Sequence, residues 1–236
     1  MTRELELSHG GNRVVLTSLG AGIREWEGVL DGYPAGTRAT SGRGQVLMPW
    51  PNRLQDGTYE WDGETYQVPL NDPPYAIHGL VRTLEWDVVG DGAFALLFEP
   101  QPGYPFSLRL RIEYTLSSDG LTVHDLVENV GDRAAPFGAG HHPYIARHAD
   151  DVFGAGVKRD DAQPFDGSIA IGDVTVWGDE QCKWVQLYTG DDRTDVARRS
   201  IAVEPMTCRK EAFRTGEDVI RLEPGDVFDA RWGISP

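Results

Sequence analysis

Four short clusters set a rare polar side chain beside a residue that stiffens or turns the chain: Pro49-Trp50-Pro51-Asn52-Arg53, Ile77-His78-Gly79, Gly140-His141-His142-Pro143-Tyr144 and Ala202-Val203-Glu204-Pro205-Met206. An imidazole and a carboxylate are the pair that general acid–base chemistry needs. Proline fixes φ and biases the residue before it toward extended geometry, so His142 and Glu204 are expected at strand ends with little backbone freedom. Such positions favour preorganised groups. In an extended chain the adjacent His141 and His142 point to opposite faces, so one can serve a site while the other packs or hydrogen-bonds. Taken singly, each residue also has an ordinary role. Glu204 fits a solvent-facing glutamate at a strand end, His78 a loop histidine before a glycine, and Arg53 the ion-pair partner of an acidic neighbour.

Several other chemistries lack their signatures. His78, one of the paired histidines and Glu204 could form a facial metal set of the cupin type, but HxH, HExxH and CxxC spacings are absent, so no metal is expected. There is no GxSxG elbow, no P-loop and no GxGxxG segment following a strand. Acid–base chemistry, which needs no cofactor, is what remains.

The elements that must position these residues read as strands. Glycine and proline (28 and 15 residues) punctuate short segments in which Val, Leu, Tyr and Trp alternate with polar residues. Thr58–Val68 is a hairpin about Asp62-Gly63, a type I′ signal. Leu84–Val89 and Phe94–Phe98 flank Asp91-Gly92 as a second. Leu108, Leu110, Ile112, Tyr114 and Leu116 alternate without a break before the return strand of Leu121, Val123 and Val127. Trp184–Thr189, Ser200–Glu204, Val219–Leu222 and Phe228–Trp232 read as further strands. The stretch from about Ala146 to Glu180, rich in Asp and Gly, is expected to be surface loop. No long segment has helical periodicity and no linker interrupts the pattern. The expectation is one all-β domain over residues 1–236, a large antiparallel β-sandwich with a concave ligand face.

The formal net charge of -15 argues against nucleic acid and anionic lipid as partners and toward a neutral or cationic small molecule. No apolar run suggests a signal peptide or membrane span, so a cytoplasmic protein is expected, in which Cys182 and Cys208 stay reduced. Monomer and homodimer are equally compatible with the sequence.

In their order, the clusters resemble the aldose 1-epimerase (galactose mutarotase) family, bacterial branch. The resemblance runs through Leu47-Met-Pro-Trp-Pro-Asn-Arg53 with Gly57-x-Tyr59, His78-Gly79, Gly140-His-His-Pro-Tyr144, Tyr188-Thr-Gly190 and Ala202-Val-Glu-Pro-Met-Thr-Cys208 with Ala212-Phe213, and extends to Leu222-Glu-Pro-Gly225 and Trp232-Gly233. It implies a galactose mutarotase-like supersandwich that opens and recloses the ring of a neutral aldohexose, interconverting its α and β anomers in carbohydrate metabolism. It makes His142 the general acid, Glu204 the general base, and Arg53 and His78 ligands of the sugar. Asp161, in Asp161-Ala-Gln-Pro-Phe165, falls nearest the family's hydroxyl-binding aspartate, and Trp50 is, by position alone, a candidate to stack on the sugar. The segment between Tyr144 and Trp184 is shorter than in family members by several tens of residues. Two neighbouring readings are a hexose-6-phosphate 1-epimerase, with phosphate held among Arg193, Arg198, Arg199, Arg209 and Lys210, and a non-catalytic carbohydrate-binding or sensor protein.

Overall fold

Alternation in Leu108–Ser117 puts Leu108, Leu110, Ile112 and Tyr114 on one face, and all four are buried. The strand returns as Gly120–Asn129, paired with it antiparallel from Leu108↔Asn129 to Ser117↔Gly120. Around this hairpin the computed structural model, which describes residues 2–236, builds a seven-stranded antiparallel sheet. Its order from edge to edge is Ser168–Ile171, Val174–Gly178, Val227–Ser235, Gly120–Asn129, Leu108–Ser117, Ala93–Phe98 and Asp87–Gly90.

A four-stranded antiparallel sheet, Tyr144–Ile145, Ile201–Met206, Trp184–Tyr188 and Asp160–Pro164, carries much of the chemistry. A three-stranded sheet of Glu4–His9, Asn12–Thr17 and Gly22–Trp26 adds to the sandwich. Thr58–Trp61 and Glu64–Gln67 pair about Asp62 and Gly63, whose φ angles of 49° and 80° give the two left-handed residues a type I′ turn requires. Helix is confined to Ala149–Phe153 and Ala212–Thr215, and among the described residues none is long and apolar enough to cross a membrane. The fold is an antiparallel β-sandwich, as the strand rhythm predicts, filled by one large apolar cluster running from Val14 to Ile234, with a small second cluster of Tyr144, Val196 and Ala202.

The loop expectation for 146–180 is corrected. That stretch holds the Ala149–Phe153 helix, Asp160–Pro164 in the four-stranded sheet, and the Ser168–Ile171 and Val174–Gly178 hairpin at one edge of the large sheet. Ile171, Val174 and Val176 are completely buried. At roughly 1.5–3 kcal/mol per fully buried aliphatic side chain, these residues hold the hairpin in the sheet despite its acidic turns. The first arm of the second predicted hairpin is also shorter than expected, Asp87–Gly90, with a bulge between Val88 and Gly90.

Candidate active site

His142 lies in a segment clamped from both sides. Its N–H donates to the Gln45 carbonyl at 3.0 Å and its carbonyl accepts from Gly44 at 2.9 Å, while Val203 donates to the Pro143 carbonyl at 3.0 Å. Pro143 has no N–H to spare and fixes the turn into Tyr144–Ile145. The two histidines do face opposite ways. His141 bonds Asp125 at 2.8 Å and packs its ring 4.7 Å from Trp232, both on the large sheet. His142 instead stacks on Tyr144 at 5.1 Å and meets His78 edge-on at 5.0 Å.

Glu204 is buried rather than solvent-facing. It sits on Ile201–Met206 opposite Gln186, with Oε1 3.4 Å from His142 Nε2, and Oε2 has no hydrogen-bond partner among the described residues. Burial without such partners pushes its pKa up to about 8, against the pull of Arg53 and with a smaller push from Asp160. Burial lowers the His142 pKa to about 3, with Arg82 and Arg43 adding to the decrease and a backbone hydrogen bond opposing it.

A hydrogen-bonded floor joins the remaining residues. The Asn52 backbone N–H donates to His78 Nδ1 at 3.2 Å, which leaves His78 Nε2 to carry the ring proton. His78 is buried and held at φ +63°, with its pKa well below the usual range because of burial, followed by the nearby His142, Arg82 and Arg53. Asn52 Nδ2 donates to Gln186 Oε1 at 3.1 Å, and Gln186 Nε2 donates to Asp160 Oδ1 at 2.9 Å. Asp160 lies 3.6 Å from Arg53. His142, Glu204, His78, Arg53 and Asp160 thus line one cleft of about 210 Å³.

Asp160 therefore occupies the place expected for Asp161. Alternation along Asp160–Pro164 turns Asp161 the other way, where its carboxylate receives two bonds from Arg159 at 2.6 and 2.7 Å. Trp50 is also not on the cleft, since it is 2% exposed and packs 5.6 Å from Phe213. Tyr188 is the aromatic residue that lines it. Of the basic residues considered for a phosphate, only Arg193 lines this cleft. Arg198 pairs with Asp150 and Asp191, Arg199 with Asp31, and Arg209 with Glu217, while Lys210 lines an adjoining trough. Gln186 and Arg82 carried no signal in the sequence.

The donor set of two imidazoles and one carboxylate falls within 4.8 Å for His78, His142 and Glu204, close enough to hold a metal ion. The same three groups also form a proton-transfer set in a cleft lined by amides and guanidinium groups. The fold and this cleft define a galactose mutarotase-like protein. The comparisons agree: the sequence model of the aldose 1-epimerase family matches residues 3–158, and the chain belongs to that family.

Among its relatives is YihR of Escherichia coli K12, an uncharacterized protein 29% identical over 278 residues, covering 94% of this chain and 89% of that one. That alignment is longer than the chain's 236 residues, so YihR carries segments missing here. Human galactose mutarotase is 29% identical over 131 residues, or 52% of this chain and 36% of the human protein. An aldose epimerase homologue from C. elegans has the same fold, with a TM-score of 0.84 at 14% identity over 100% of this chain and 99% of that one.

Replacing Asp160 by Ala is expected to raise KM about tenfold, the worth of one charge-assisted hydrogen bond. Asp161→Ala should stay within about twofold of wild type, as an exposed pair contributes little. Steady-state mutarotation kinetics on both variants check the exchange of roles, and a larger KM effect at Asp161 would reverse it.

Proposed function

We propose that the protein is an aldose 1-epimerase that interconverts the α and β anomers of an aldohexose without a cofactor. The observation that carries this reading is the approach of His142 Nε2 and Glu204 Oε1 to 3.4 Å at the floor of one polar cleft. Opening an aldopyranose requires the C1 hydroxyl to lose a proton and the ring oxygen to gain one. Glu204 takes the first and His142 delivers the second; the C1–O5 bond breaks, the C1–C2 bond turns, and reversed transfers close the other anomer. Arg53, Asp160 and the His78 Nε2–H hold the remaining oxygens.

The cleft's own residues favour the proton on Glu204, because burial disfavours both charged forms. The working state, protonated His142 with ionised Glu204, contains the same number of protons. A sugar that donates hydroxyl hydrogens to Glu204 moves the pair toward it. The pair titrates as a unit, so its apparent pKa values belong to both groups.

Activity is expected to require the state with one proton on the pair. Above about 8 that proton is lost and kcat/KM falls; in acid, near 3, a second proton is gained and it falls again. Polarimetry corrected for the uncatalysed rate checks the profile, and a kcat/KM that keeps rising beyond about 8 would contradict it.

Glucose and galactose, as neutral aldohexoses, are the first sugars to test. Acceleration of their mutarotation over the spontaneous rate is the direct assay. The non-catalytic reading predicts sugar-dependent thermal stabilisation with no acceleration.

A further inference from the structure

One wall of the cleft holds a cation that ring opening leaves unexplained. Arg82 lies four residues beyond His78, is half-buried, and lines the cleft. Its Nη1 donates to the neutral Gln45 Oε1 at 3.2 Å, and among the described residues no carboxylate oxygen lies within 4.0 Å of it. The chain's other withdrawn arginines are paired: Arg24 has Glu4 at 2.6 Å and Arg43 has Asp195 at 2.8 Å. At the cleft itself Arg53 has Asp160 at 3.6 Å and Arg193 has Asp192 at 3.7 Å. A guanidinium partly removed from water with only an amide for partner carries a desolvation cost that no counter-ion offsets. Burial pulls its pKa down, and Asp72, on the same wall but beyond contact, only partly opposes this.

The overall charge of -15 is therefore a poor guide to this wall. Most of the carboxylates that make the chain acidic are exposed at the surface, whereas Arg82 lines the cleft with no carboxylate partner among the described residues. Because C1 and the ring oxygen of a bound sugar must meet His142 and Glu204, a group at Arg82 sits on another carbon.

We propose that the cleft selects aldoses bearing an oxyanion away from C1, a carboxylate or a phosphate, with Arg82 as its counter-ion and Arg193 at the rim. The substrate class rests on the mutarotase reading; the binding preference does not. Lys210 and Arg214, in the adjoining trough, are exposed and need no counter-ion to account for them.

The test compares affinities of glucuronate, glucose 6-phosphate and glucose by thermal shift at fixed ionic strength, alongside mutarotation of each. At least one anionic sugar is expected to bind about tenfold or more tightly than glucose, the worth of one charge-assisted contact. Arg82→Met should erase that preference, and Arg82→Lys should retain part of it. Glucuronate and glucose 6-phosphate separate the carboxylate from the phosphate source, and a preference for either supports the site. Equal affinity for anionic and neutral sugars overturns it, as does a preference that survives Arg82→Met or is lost instead in a Lys210→Met/Arg214→Met double variant. An anionic preference without acceleration of any sugar keeps the site and sinks the mutarotase reading; accelerated glucose without the preference does the reverse.

Discussion

Glu204→Gln and His142→Asn are each expected to lower accelerated mutarotation by about 10²–10⁴-fold, because one positioned acid or base contributes that much. Both changes remove a proton site while keeping a polar side chain of similar or smaller size in the cleft. For Glu204→Gln the fold has an independent control. The folded-state pKa of Glu204 is raised to about 8. Between the ordinary carboxylate range and that value the folded protein holds a proton that the unfolded chain releases, so stability declines as pH rises through the interval. The neutral amide of the Glu204→Gln variant has no such titration. The variant should match wild type near the ordinary carboxylate pKa of about 4 and exceed it in alkali, by a few kcal/mol at about 1.4 kcal/mol per pKa unit. An inactive variant that is the more stable protein in alkali cannot owe its inactivity to unfolding. Wild-type rates in both variants would sink the acid–base assignment.

Asp125→Ala is expected to cost about 1–3 kcal/mol of stability, the range for leaving a buried hydrogen-bonding group without its partner. Asp125 and His141 are 2% and 3% exposed, bonded at 2.8 Å, and His141 lies against Trp232. This contact ties the Gly140–Pro143 segment to the large sheet on the side opposite His142. Asp125→Asn keeps an oxygen acceptor and should lose about half as much. Urea denaturation with an unchanged m-value is the measurement. A loss below about 1 kcal/mol for Asp125→Ala would show that the segment is held by its backbone clamps alone.

The long hairpins were legible because period-2 alternation and Asp-Gly or Ser-Asp-Gly turns agree with each other. The Ser168–Gly178 hairpin was obscured by its surroundings: Ser-Ile-Ala-Ile and Val-Thr-Val-Trp are strand patterns, but they are short and lie within a stretch of Asp and Gly whose loop signal dominates. At the site, chain-stiffening neighbours marked Arg53, His78, His142 and Glu204, and the structure brings all four to one cleft. The aspartate that lines the cleft is Asp160, one residue before the one the motif spacing points to. Spacing against a family motif cannot settle which of two adjacent carboxylates faces inward, whereas strand alternation does. Gln186 and Arg82 were out of reach for a different reason. A glutamine inside a strand and an arginine in a loop become part of a site only through contacts with residues far away in sequence.

Strand Val227–Ser235, the last strand in sequence order, lies in the interior of the large sheet between Val174–Gly178 and Gly120–Asn129. On the ribosome, Gly120–Asn129 therefore waits with one edge unpaired while roughly a hundred further residues are made, as Val174–Gly178 emerges with no neighbour to join it to that edge. His141 meets the Trp232 ring only when that strand arrives. The segments bearing Arg53, His78 and His142 are thus synthesised well before the sheet beneath them can close, and a nascent chain paused before Val227 would present open strand edges to whatever chaperone or neighbouring chain it meets.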